Sequence, residues 1–122
     1  MKWNVTAPTR LYRDTEGVTD EQIAVQNSPG RYEISVDGEP AGFTQYLDRD
    51  HQRIFFHTEV DERFSGRGLA NKLITGALTD TRAAGRRIVP VCPFVAAYLK
   101  RHDDFADIVD PITPAALAAI PA

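Results

Sequence analysis

The sequence predicts a mixed α/β domain in which an antiparallel meander runs into a strand-helix-strand unit whose two parallel strands part at one end. Three observations carry that prediction. Tyr32, Ile34 and Val36 alternate with Glu33, Ser35 and Asp37, the period-2 pattern of a half-buried strand, and two more apolar runs follow at hairpin distance. Leu69, Ala70, Leu73, Ile74, Ala77, Leu78 and Ala84 then recur at helical spacing. Between the last of those runs and the helix stands a turn with two glycines, Gly66 and Gly68.

A chain of 122 residues has room for one domain with a real core and is too short for two ordinary ones. A single domain over residues 1–122 is expected. Hydrophobic residues make up 43% and charged residues 25%, which fits neither a disordered chain nor a membrane protein. The net charge is −3 and the basic residues are scattered apart from Arg82, Arg86 and Arg87, so nucleic acid is not an expected partner. No stretch approaches the roughly 20 apolar residues of a membrane span. Cys92, the single cysteine, has no internal disulfide partner, and no leader-like run opens the chain. A cytoplasmic protein is expected.

In order, Met1 to Val5 is a candidate strand and the residues up to 20 carry little pattern. Gln22 to Gln26 reads as a short strand, ended by the turn residues Asn27-Ser28-Pro29-Gly30. After the alternating run, Asp37-Gly38 signals a hairpin, and strands follow at Gly42 to Leu47 and Arg53 to Val60. The helix of about four turns has Ser65 as candidate N-cap and Gly85 as candidate C′ residue. Gly76 inside it suggests close packing on the sheet. Arg87 to Cys92 reads as a buried strand, Phe94 to His102 as a shorter helix, and Phe105, Ile108 and Val109 as a candidate last strand. For the tail from Pro111 to Ala122, a short helix over Ala115 to Ile120 and a loose end are both open.

Strand, helix and strand with one crossover make the strands ending at Val60 and Cys92 parallel, with a right-handed connection. Their C-terminal ends then share one edge, where open sheets bind ligands. Glu59, Val60, the turn from Arg63 to Gly68, Cys92 and the start of the second helix are expected around one site. Pro90 and Pro93 lack N–H groups and weaken pairing near Cys92, which opens a gap for an extended ligand arm. The first N–H groups of the helix after Gly68 have no partner within it and suit an anion, most simply a phosphate.

Spacing decides among phosphate motifs. A P-loop needs Gly-Lys-Ser or Gly-Lys-Thr, which is absent. A dinucleotide fingerprint would need a small residue where Asn71 stands and an acid where Cys92-Pro93 stands. Arg63-Phe64-Ser65-Gly66-Arg67-Gly68 matches a third pattern: Arg or Gln, two residues, Gly, one residue, Gly or Ala. It resembles the pyrophosphate loop of the Gcn5-related N-acetyltransferases, which bind acetyl-CoA. With His57-Thr58-Glu59-Val60 before it, and Ile88 to Phe94, Tyr98 and Arg101-His102 after it, the chain over about residues 22–109 looks like the small Yjdj-type branch of that superfamily. The resemblance implies that backbone amides of Arg63, Phe64, Ser65, Gly66, Arg67, Gly68, Leu69 and Ala70 hold the pyrophosphate. It implies too that Val60 pairs with the pantetheine arm, that the acetyl group ends near Cys92, and that Tyr98, about two positions early against the usual motif, is the tyrosine available as general acid.

The remaining chemistry rests on few side chains. His57 and Glu59, two residues apart on a strand, share a face, and Glu59 is a candidate base for an attacking amine if burial raises its pKa. Cys92 is either a small buried hydrophobe or a nucleophile that carries the acetyl group, with His57 or His102 as its base. No metal-ligand pair spacing occurs, and no metal is expected. The expected activity is acetyl transfer from acetyl-CoA to an amine, directly or through acetyl-Cys92. A shallow acceptor site would suit a protein or peptide amine. The alternatives are a non-catalytic module that binds CoA or acyl-CoA, and a structural domain with no such site.

Overall fold

Alternation and turn chemistry produce the sheet. The structure, a computed structural model, describes residues 22–64 and 66–121 and the backbone of Tyr12 and Arg13; the candidate strand at Met1 to Val5 lies outside these residues. Strands β1 (Tyr12–Arg13), β2 (Ile23–Ser28), β3 (Arg31–Val36), β4 (Glu39–Arg49), β5 (Gln52–Val60) and β6 (Arg87–Pro90) lie side by side in sequence order. The first five are antiparallel to their neighbours, and β5 and β6 are parallel. Val36 faces Glu39 across a two-residue turn in which Asp37 and Gly38 both have positive φ, 52° and 84°. That is the primed hairpin the dipeptide specifies.

Helix α1 (Leu69–Ala83) crosses one face of the sheet between β5 and β6. Its buried stripe of Leu69, Leu73, Ile74, Ala77 and Leu78 packs with Val25, Tyr32, Ile34, Tyr46, Phe55 and Ile88 in the main core. Gly76 is buried in that face, as its place in the pattern suggested. The helix ends as Gly85 requires: its N–H donates to the Arg82 carbonyl and that of Arg86 to Thr81, a Schellman closure. The start is different. Gly68, in the left-handed region at φ 73°, occupies the N-cap position and no side chain among the described residues caps the helix; the expectation that Ser65 is the N-cap residue is corrected, and Ser65 itself lies outside the described residues.

Helix α2 (Pro93–Arg101) follows β6 with Cys92 at its N-cap and Pro93 at N1, so the strand stops two residues short of Cys92. Phe105, Ile108 and Val109 do not make a strand. Ala106–Ile108 is a 3-10 turn, and a single parallel bridge joins Val109 to Ile88. Helix α3 (Pro114–Ala119) is capped by Thr113, whose hydroxyl accepts from the Ala116 N–H. It seats Ala116 against Ile54 and Val89 on the sheet face opposite α1.

Candidate functional site

The site begins where β5 outruns β6. Their register ends at Phe55 opposite Pro90, after which the Cys92 N–H still reaches the Phe55 carbonyl at 2.8 Å. Pro90 has no N–H to continue the ladder, and the Val91 N–H turns back to the Val89 carbonyl. Among the described residues, 56–60 of β5 therefore have β4 on one side and no strand on the other.

A bulge decides which groups face that opening. Gln45 is opposite His57 and Tyr46 opposite Phe55, so Phe56 is the extra residue. Beyond it, the Asp61 N–H donates to the Ala41 carbonyl at 2.7 Å. Alternation from that bond commits Glu59 and His57 to β4 and turns the backbone groups of Thr58 and Val60 toward the gap. The same bulge switches side-chain parity. Thr58 joins Phe55 on the core face, where its hydroxyl lies 2.9 Å from that of Thr44 and 3.1 Å from the Cys92 sulfur. The run Ile54-Phe55-Phe56, which breaks strict alternation, was the available sequence signal for this bulge.

Cys92 is 1% exposed and belongs to the main core. His57 and Glu59 project from the other face of β5. The His57 Nε2 and Glu59 Oε2 atoms are 2.8 Å apart and both side chains are exposed, that of Glu59 by 62%. The shared face is as expected, but the burial invoked to raise the Glu59 pKa is absent. His57 is thus separated from Cys92 by the sheet. His102 is no nearer: it caps the far end of α2, ten residues from Cys92 and about 15 Å away at helical rise. There it stacks on Tyr98 with ring centroids 4.2 Å apart. Tyr98 is buried, and its hydroxyl pairs with that of Thr75 on α1 at 2.9 Å, so among the described contacts it faces α1.

The turn after β5 is anchored by Phe64, buried within a 3-10 turn at Glu62–Phe64 and flanked by the guanidinium groups of Arg63 and Arg67 at 5.2 and 5.5 Å from its ring centre. Arg63 binds Asp61 at 3.2 Å and lies 3.9 Å from Glu39; its hydrogen bond to Asp61 holds that carboxyl below its ordinary range. Gly66 and Gly68 have φ of 79° and 73°, and a Cβ at either would meet open space. The first helical bond is from the Lys72 N–H to the Gly68 carbonyl, so the N–H groups of Leu69, Ala70 and Asn71 have no acceptor within the helix. No acid stands in this first turn. With no side-chain cap on the helix start and no partner for the outward backbone groups of Thr58 and Val60 among the described residues, the site fits a ligand with an anionic head and an amide-bearing arm, as CoA is.

Sequence reasoning passed over Gly42, which faces Val60. A Cβ there would come 2.6 Å from the Glu59 carbonyl oxygen and 3.1 Å from the Val60 Cα. Beside it a cleft of about 300 Å³ is lined by Arg31, Phe43, Glu59, Val60 and Asp61 among others. Among the described residues, no group of three or more His, Cys, Asp or Glu is placed to hold a metal, and no helix is long and apolar enough to cross a membrane.

The fold and this geometry have counterparts. A solution structure of a GCN5-like candidate N-acetyltransferase from Staphylococcus aureus superimposes with a TM-score of 0.57 at 20% identity, covering 74% of this chain and 90% of that one. No curated protein matches the sequence. A family model described as GCN5-related N-acetyl-transferase matches residues 31–108, from β3 to the turn after α2. That span is more than half of the sequence and includes the bulged strand, the glycine turn and Cys92, and the chain belongs to the GCN5-related N-acetyltransferase family.

Proposed function

We propose that the protein transfers an acetyl group from acetyl-CoA to an amine, as a member of the small Yjdj-type branch. The observation that carries this reading is the unpaired end of β5 directly before an uncapped helix start. The amides from Arg63 to Ala70 would hold the pyrophosphate and the Val60 backbone the pantetheine arm. Bound acetyl-CoA supplies an activated acetyl carbonyl. Glu59, exposed and held by His57, takes the proton released as the amine forms its new bond, directly or through a water. Direct transfer is favoured over acetyl-Cys92 because the Cys92 sulfur is buried and already engaged by Thr58. The acceptor is an amine, and the open face beside Glu59 suits one carried by a protein or peptide.

Native and then denaturing mass spectrometry of the protein mixed with acetyl-CoA tests this. The expected result is a CoA-sized adduct that denaturation removes completely. An acetyl group left on Cys92 would replace direct transfer by the covalent route, and no adduct at saturating ligand would sink the reading. Gly68→Val should abolish the adduct while costing about 2 kcal/mol of stability, the penalty for a side chain at φ 73°. A non-catalytic binding module predicts instead that Glu59→Gln changes nothing, no acetylated amine being formed in either case.

A further inference from the structure

We infer that Cys92, braced by Thr58, is the wall that limits the transferred acyl group to two carbons, an inference that rests on the acetyltransferase reading. The strand gap has a direction. Its mouth is at Val60, beside the glycine turn and the start of α1, and its closed end is where the Cys92 N–H meets the Phe55 carbonyl at 2.8 Å. A ligand arm whose anionic head sits on the turn, and which borrows hydrogen bonds first from Val60 and then from Thr58, runs toward that closed end. Its thioester and acyl group therefore arrive beside Cys92.

The closed end has little room to give way. Cys92 is 1% exposed and Thr58 6%, and their Sγ and Oγ1 atoms are 3.1 Å apart. Thr58 is stiff at χ1 because it is β-branched, and its hydroxyl lies 2.9 Å from that of Thr44, which is fully buried. The Cys92 carbonyl accepts from the Ala96 N–H in the first turn of α2 at 3.0 Å, so the residue is tied to β5 on one side and to α2 on the other. Phe55 and Val95, fully buried, belong with it to the main core. Interiors of this kind are close-packed, and extra methylene groups force side chains and backbone apart. A longer acyl chain must push into that core or turn out onto the face of His57 and Glu59, where the amine has to enter.

Beyond Cα the Cys92 part of the wall consists of Cβ and Sγ alone. Propionyl exceeds acetyl by one carbon and butyryl by two, so trimming Cys92 should admit them in that order. A wall acts through its volume and a nucleophile through its thiol. Serine at this position keeps the first and removes the second.

The test is amide NMR on the ¹⁵N-labelled full chain titrated with acetyl-CoA, propionyl-CoA and butyryl-CoA, with no amine present. In the parent, acetyl-CoA should shift the amides of Thr58, Val60 and Gly66 to Ala70, and butyryl-CoA should bind at least about tenfold more weakly, as overpacking by two carbons implies. Cys92→Ala should bring propionyl-CoA to within about threefold of acetyl-CoA and still disfavour butyryl-CoA, Cys92→Gly should admit both, and Cys92→Ser should keep the parent's order. Should Cys92→Gly not fold, Cys92→Ala decides. Butyryl-CoA bound by the parent as tightly as acetyl-CoA, an unchanged order in Cys92→Ala, or loss of the order in Cys92→Ser would overturn the inference. In each of those cases acetyl-CoA still moves the Gly66 to Ala70 amides and the transferase reading stands; if none of the three shifts any amide at saturating concentration, both fall.

Discussion

Two side chains show how far single residues were legible. Gly42 looks like any strand glycine in the sequence, and only the partner strand reveals that its hydrogen faces the Glu59 carbonyl and Val60 backbone. Gly42→Ala forces backbone to move rather than a flexible side chain, so we expect a loss of roughly 1–3 kcal/mol in urea unfolding, with amide shifts centred on Glu59 and Val60. An unchanged spectrum there would show the approach to be looser than described. Arg53 looked like a polar start to a strand. It is 6% exposed, stacked over Tyr46 at 4.3 Å, bonded to Asp48 at 2.7 Å and donating to the Tyr32 hydroxyl at 2.6 Å, which in turn donates to Asp80 on α1. Burial foremost, and that bond to Asp80, hold the Tyr32 hydroxyl well above its usual pKa. Arg53→Met would take the buried guanidinium away from Asp80 and leave Asp48, among the described residues, with only Arg86, 3.5 Å away. Both are partly open to water, so the expected loss is roughly 2 kcal/mol, below the 3–5 of a fully buried pair; a variant as stable as the parent would show the network to be energetically neutral.

At the scale of elements, periodicity served well wherever one face is buried and the other is wet. It found β3, β5 and the α1 stripe. The break in alternation at Ile54-Phe55-Phe56 hinted at an irregularity, but which residue is extra is a property of two strands in register, and so the parity that puts Thr58 beside Cys92 and His57 away from it stayed hidden. The region after α2 failed for a related reason: Phe105, Ile108 and Val109 are apolar enough for a strand, but Asp110 fixes the chain differently. Its N–H donates to the Ile88 carbonyl, and its carboxylate accepts from Gln52 at 2.7 Å and Arg87 at 2.6 Å. Burial pushes the Asp110 pKa up, yet these hydrogen bonds outweigh it and the net shift is downward. A carboxylate with a depressed folded pKa stabilises above its unfolded value, near 3.9, and loses that contribution as pH falls through the folded one. Asp110→Asn should therefore be less stable than the parent at neutral pH, with the gap closing below about pH 4. A gap that stays constant down to pH 2.5 or so in pH-dependent unfolding would mean the bonds do not depend on the charge.

At the scale of the molecule, the sheet divides the work between its two faces. One carries α1, α2, the main core and the buried Cys92; the other carries α3 over Ile54 and Val89 and, further along β5, the exposed His57, Glu59 and cleft. The sequence indicated the edge on which the site should form, because parallel strands fix the direction of their ends, but which face each side chain occupies depended on the bulge. The status of the tail was likewise undecided, since six residues of helix are too few to be stable alone and only docking could settle it. Docking rests on Ala116, 1% exposed between Ile54 and Val89, and on the Thr113 cap. Ala116→Asp would detach α3 rather than bury an unpaired carboxylate, and would return Ile54 and Val89 to water. Exposure of two aliphatic side chains costs roughly 2–4 kcal/mol when it is incomplete, so the midpoint of urea unfolding should drop and amide exchange at Ile54 and Val89 should quicken. The glycine turn and α1 lie on the other face and keep their core, so acetyl-CoA binding by the folded variant should match the parent. A binding loss as large as the stability loss would show instead that the two faces are coupled through β5.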